Sequence, residues 1–124
     1  MGGIFSDASQ NSFKSWTRVF LKYCDGTVHQ GTKSTPVSYK GSKLYFRGNN
    51  ITRAQFQSLE DKFGLFTKSS QVIVSGESAG GLAAFLWTEY VNRNVKNAKV
   101  YGVPDSGIFL DSINVPTGVH TYRN

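Results

Sequence analysis

Several things are scarce in this 124-residue chain. It holds one cysteine, Cys24, so no disulfide can close within it. A lone thiol points to a reducing compartment or to a partner Cys elsewhere. No apolar run reaches the length needed to span a bilayer. The opening Met1-Gly2-Gly3-Ile4-Phe5 has neither the charged start nor the long apolar stretch of a secretory signal. Acidic residues number 8 against 14 Lys and Arg, giving a net charge of +6. The basic residues are scattered and form neither a run nor a helical stripe, so a nucleic-acid interface is not expected. No Gly-Lys-Ser/Thr follows the glycine-rich segment, which excludes a Walker A phosphate loop.

What is present suits a globular domain. Hydrophobic residues make up 39% and charged residues 18%, and nine Phe, six Tyr and two Trp supply bulk for one small core. Arg18 to Tyr23 is β-branched and aromatic and predicts a buried strand. Asp25-Gly26 marks a turn, and Val28 to Gly41 reads as a surface excursion. Lys43 to Arg47 alternates as a hairpin strand would. Gly48-Asn49-Asn50 breaks it. A helix follows, with Thr52 as N-cap, Phe56, Leu59 and Phe63 on one face, and Gly64 as C-cap. Gln71 to Ser75 is a short apolar run of the central-strand kind. A second helix spans Ala79 to Arg93, with Leu82, Phe85, Leu86, Tyr90 and Val91 as its apolar face. Ala98 to Val103 predicts another strand, ending at Pro104-Asp105-Ser106-Gly107, and the tail from Val115 is irregular. Strands alternating with helices predict an α/β fold: a parallel sheet with helices on both faces. Reactive groups in such sheets gather at the carboxyl ends of the strands. Here those ends follow Tyr23, Ser75 and Val103.

One such end carries chemistry. Gly76-Glu77-Ser78-Ala79-Gly80 lies between an apolar strand and an amphipathic helix. A strand turning sharply into a helix forces the serine into a strained conformation with its hydroxyl exposed. Glycines at Gly76 and Gly80 remove Cβ atoms that would crowd the turn. The helix start aims N–H groups and its positive dipole end at the same place, so the Ala79 N–H can hold an oxyanion. A Gly-rich turn that merely contains serine, or that binds an anion, is the plainer alternative. Serine needs a His base and a carboxylate to orient it. His29 and His120 are the histidines, and Glu89, Asp105 and Asp111 are the carboxylates after the serine. The order Ser78, Asp105, His120 matches that of α/β-hydrolases. Asp105 also suits a turn-capping role, His120 a surface one, and Glu77 a structural or pocket contact.

The sequence resembles the pectin acetylesterase and Notum family of carboxylesterases. The likeness rests on Gly2 to Asp7 (GGIFSD), Phe13 to Gly26 (FKSWTRVFLKYCDG), Leu44 to Gly48 (LYFRG), Val74 to Ala83 (VSGESAGGLA) and Val103 to Asp111 (VPDSGIFLD). The resemblance implies an α/β-hydrolase-like domain and ester hydrolysis with neither cofactor nor metal. Members remove acetyl groups from pectin, and the Notum branch removes a fatty acyl group from a secreted signalling protein. Ser78 matches the family nucleophile and Ala79 its oxyanion donor. Phe109 matches a segment lining the acyl pocket in the Notum branch, or is an ordinary core aromatic. The family's Gly-Gly-Trp oxyanion motif lies upstream of this stretch, and its catalytic Asp and His lie downstream. Residues 1–124 are therefore expected to form the central part of a single domain, truncated at both ends, whose exposed sheet edges can associate with other chains. An ester substrate, acetylated polysaccharide or acylated protein, and an extracellular or secretory setting are likewise implied. The alternative is an inactive fragment or pseudoenzyme kept as a structural or interaction subunit.

Overall fold

The computed structural model describes residues 3–114 and 116–120. Gly2 of the first family-like block, Val115 and residues 121–124 lie outside them. A 3-10 turn at Gly3–Phe5 is followed by irregular chain to residue 36. Strands β1 (Val37–Tyr39) and β2 (Ser42–Leu44) form an antiparallel hairpin, with Val37 opposite Leu44. Helix α1 spans Gly48–Phe63, strand β3 Gln71–Glu77, helix α2 Ala79–Asn94 and strand β4 Lys99–Asp105. Strands β5 (Ile113–Asn114) and β6 (Val119–His120) pair antiparallel, so a strand, β6, falls inside the tail from Val115 expected to be irregular. Mixed helices and strands with small sheets place the chain in the α/β class.

The β3–β4 pair is parallel, with Gln71 opposite Lys99 and Glu77 opposite Asp105. Strand alternation sends Val72, Val74 and Val100 to the face that packs on the helices. There they meet a core of Phe56 from α1 and Ala83, Trp87 and Val91 from α2. The Phe56 ring lies 5.5 Å from Trp87 and 5.7 Å from Tyr90, so one aromatic cluster ties the two helices together. Phe85 and Leu86, predicted for the apolar face of α2, are instead exposed. Val91, from the predicted face, is buried as expected, and Trp87, which that prediction left out, joins it because α1 and the sheet meet that side of the helix. The opposite face of the strand pair leaves Tyr101 46% and Val103 51% exposed.

Three expectations fail. Residues 18–23 form no strand, because among the described residues no neighbour supplies a ladder to them. Leu21 still packs on the core, whereas Phe20 is exposed. Helix α1 begins four residues before Thr52, which is no N-cap: it lies inside the helix, 1% exposed, with Oγ1 3.1 Å from Nδ1 of His29. The cap position is Arg47, whose side chain makes no capping bond. Asp25 supplies the function from a distance, accepting the N–H groups of Arg47 and Gly48 as well as the Thr27 hydroxyl. Gly48 admits no Cβ, which would stand 2.6 Å from Thr27 Oγ1 and 2.8 Å from Asp25 Oδ1. Val28 is likewise no part of a loose excursion, since it packs on the core. The other end of α1 follows the sequence: Gly64 has φ 74° and donates its N–H to the carbonyl of Glu60.

Candidate active site

Strand β3 ends at Glu77 and helix α2 begins at Ala79, leaving Ser78 alone between them. Its main chain has φ 55° and ψ −116°, a left-handed conformation that costs a non-glycine residue about 1–3 kcal/mol. Surrounding contacts hold it there. The Ser78 N–H donates to the Asp105 carbonyl at the end of β4, 3.0 Å away. The Ser78 carbonyl accepts from the N–H of Leu82 at 3.0 Å, the first bond of the α2 ladder. The N–H groups of Ala79, Gly80 and Gly81 therefore precede the ladder, beside an exposed serine. Among the described residues the Ser78 hydroxyl has no hydrogen-bond partner.

The glycines divide into two kinds. A Cβ on Gly76 would fall inside contact distance of the Gly80 carbonyl, with the Gly80 Cα at 2.8 Å, so the turn does require glycine there. Gly80 is different: nothing lies within 4 Å of its added Cβ, and the crowding expected at that flank is absent. The tight contact sits one residue on. A Cβ on Gly81 would strike the Asp105 carbonyl and stand 2.8 Å from the Gly107 Cα. A Cβ on Gly107 would strike the Gly81 carbonyl carbon and stand 2.6 Å from the Leu82 nitrogen. Backbone thus meets backbone between the first turn of α2 and the turn after β4.

The sequence predicts the end of β4 and Asp105 near the site, but not the parts played by Ser106 and Gly107. Ser106 has φ 50°, again left-handed, and its hydroxyl donates to Asp105 Oδ1 at 2.9 Å. Because Glu77 pairs with Asp105, the strained serines Ser78 and Ser106 each follow a member of one register pair. The Pro104-Asp105-Ser106-Gly107 stop was the available signal, and register was what it could not supply.

The local acid–base set is arranged differently from the order Ser78, Asp105, His120. Nδ1 of His120 bonds Oδ2 of Asp111 at 3.0 Å, and Asp105 serves Ser106. Glu89 pairs with Arg93 on the outside of α2. His29 stacks on Tyr23 at 4.8 Å and bonds Thr52, near the start of α1. Burial pushes its pKa below 6.5, against the pull of Asp25. Phe109 is 43% exposed between the more exposed Ile108 and Leu110, so it is not a core aromatic among the described residues. Surface depressions are lined by Phe5, Asp7, Arg18 and Phe20 and by a neighbouring stretch from Ile4 to Phe13; neither includes Ser78. No helix among the described residues is long and apolar enough to cross a membrane.

Pectin acetylesterase 5 of Arabidopsis thaliana is 38% identical over 117 residues, which are 93% of this chain and 26% of that protein. Pectin acetylesterase 4 of the same plant is 33% identical over 116 residues, 92% of this chain and 28% of that protein. The palmitoleoyl-protein carboxylesterase NOTUM of Schmidtea mediterranea is 28% identical over 118 residues, 90% of this chain and 21% of that protein. The chain thus spans about a quarter of the length of these relatives. No solved structure matches. The Pectinacetylesterase family model matches residues 1–124, and the chain belongs to that family.

Proposed function

We propose that this protein is a serine carboxylesterase hydrolysing acetyl or other acyl esters, with Ser78 as nucleophile. One observation carries the reading: the left-handed Ser78 stands alone between a parallel strand and the N-terminus of a helix, exposed, in front of N–H groups that precede the helical ladder. In this role the Ser78 oxygen attacks the ester carbonyl. The carbonyl oxygen gains negative charge, and the Ala79 N–H, at the positive end of α2, stabilises it. A base takes the serine proton and returns it to the leaving alcohol, and water then releases the acyl group by the same route. Gly76 lets the turn close, and Gly80 leaves the space beside Ser78 open to a substrate.

The names of the relatives point to acetylated pectin and to an acylated protein as the two substrate classes. An extracellular or secretory setting follows from the same likeness. The exposed Tyr101 and Val103 support a larger parallel sheet, covered on that face by a further layer or by another chain. Phe109 lines the acyl side in this reading, next to the turn that bonds Ser78.

A second reading, an inactive structural subunit, draws on the Ser78 hydroxyl having no base bonded to it among the described residues. Hydrolysis of an acetyl ester and of acetylated pectin decides between them, comparing residues 1–124 alone with the same segment inside a family-length sequence. The expected outcome is little turnover by the short chain and turnover by the longer one, abolished by Ser78→Ala and unaffected by His120→Ala. Robust activity of the short chain lost in His120→Ala would instead install His120 and Asp111 as the acid–base pair. Ser78-independent or absent hydrolysis in the longer sequence would reject the esterase.

A further inference from the structure

We infer that the Asp105-Ser106-Gly107 turn is a positioning element for Ser78, setting the angle at which the serine meets its substrate. This rests on the reading of Ser78 as a nucleophile.

Three contacts make the turn a brace. The Asp105 carbonyl holds the Ser78 N–H at 3.0 Å, so the strained residue is tied across to the neighbouring strand. The same bond takes the Ser78 N–H out of the set available to an oxyanion, leaving that task to the start of α2 beginning with Ala79. Gly107 then seats against Gly81 without a side chain on either, which lets the first turn of α2 lie against the end of β4. Neither glycine could become alanine without main chain moving, because the obstructing atoms are backbone. Finally, Ser106 holds a left-handed φ of 50°, and its hydroxyl bonds the Asp105 carboxylate at 2.9 Å. That bond spans the Asp105–Ser106 peptide, whose carbonyl is the one that accepts the Ser78 N–H. Strain at Ser106 and strain at Ser78 are thus joined through one peptide carbonyl. Ordering of this kind matters for a nucleophile because a small misplacement of the attacking atom costs rate, not substrate affinity.

Amide hydrogen exchange of the 124-residue chain tests the brace without requiring turnover. In Gly107→Ala the Ser78 N–H is expected to exchange roughly tenfold faster, while the Val72 to Ser75 amides keep their rates. Should Gly107→Ala fail to fold, Asp105→Ala and Asp105→Asn serve instead. Asn retains an acceptor for the Ser106 hydroxyl and Ala does not, so acceleration at Ser78 is expected in Ala and recovery in Asn. Unchanged Ser78 exchange in Gly107→Ala, or equal rates in the two Asp105 variants, overturns the brace. In the Ser78-dependent hydrolysis of the family-length sequence, Gly107→Ala is expected to lower kcat by about tenfold at constant KM, and a raised KM with kcat intact overturns the positioning role. A wild-type sequence without Ser78-dependent hydrolysis rejects the esterase and leaves the exchange result to judge the brace separately.

Discussion

The N–H of Ser78 donates to the carbonyl of Asp105 at 3.0 Å, joining the residue after β3 to the last residue of β4. The two strands run parallel, so both segments leave the sheet at the same end, and this bond links them just beyond the last register pair, Glu77 and Asp105. A left-handed serine is thereby secured by a neighbour 27 positions away.

The strain at Ser78 predicts that function and stability oppose each other there. Glycine adopts a φ of 55° without the penalty a Cβ brings. Ser78→Gly is expected to raise stability by about 1 kcal/mol in urea denaturation while abolishing any Ser78-dependent hydrolysis. A loss of stability would show that the serine sits there unstrained.

The glycines near Ser78 should separate by sign. Gly80→Ala adds a methyl group to open space within a helix and is expected to stabilise by about 0.5–1 kcal/mol. Gly76→Ala and Gly81→Ala force backbone apart and are expected to destabilise by about 1–3 kcal/mol or more. Thermal unfolding of the three variants checks the ordering. Equal effects at positions 80 and 81 would contradict the packing at the strand ends.

Among the described residues Phe56 is the buried hydrophobic side chain of α1 in the core cluster, 5% exposed and in ring contact with Trp87, Tyr90 and Phe66, with Leu59 packed beside it. Phe56→Ala is expected to cost about 3–5 kcal/mol. In a core this small that loss should detach α1, seen as lost helical circular dichroism. Retained helicity and cooperativity would mean that α1 is held chiefly by the Asp25 cap.

Acid should weaken the fold in two stages. Burial holds the His29 imidazole below 6.5, opposed by Asp25, so the folded state prefers it neutral. Bonds from the Thr67 hydroxyl and the Phe66 N–H hold the Glu60 carboxyl below 4.5. At Asp25 burial pushes upward but is outweighed by the Thr27, Gly48 and Arg47 bonds, which leave it below 3.8. In each case the folded value is depressed, so the stabilisation is complete above the unfolded value and fades as pH falls through the folded one. Denaturation midpoints should begin to drop below pH 6.5 and drop again below 4.5. His29→Asn should flatten the first stage and Glu60→Gln the second. A wild-type midpoint constant down to pH 5 would contradict the His29 environment.

Local pattern determined much of this protein before any contact was known. Gly64 ends α1 because a left-handed residue is needed where the helix stops, and that need is met within one turn. The apolar run from Gln71 became β3, Ala79 opened α2, and the run before Pro104 became β4, each specified by residues next to one another. The serine between strand and helix was legible for the same reason. Tertiary structure decided the rest. The start of α1 depends on Asp25, some 23 residues earlier, so no local signal could replace Thr52 with Arg47 as the cap position. Residues 18–23 carry strand chemistry without a strand, because a ladder is a property of two segments and not of one. The pairing of His120 with Asp111, and of Gly81 with Gly107, was set by register and by backbone approach. Helix caps and strand runs are written in neighbouring residues. The brace around Ser78 exists only once parallel pairing brings two strand ends within hydrogen-bonding distance.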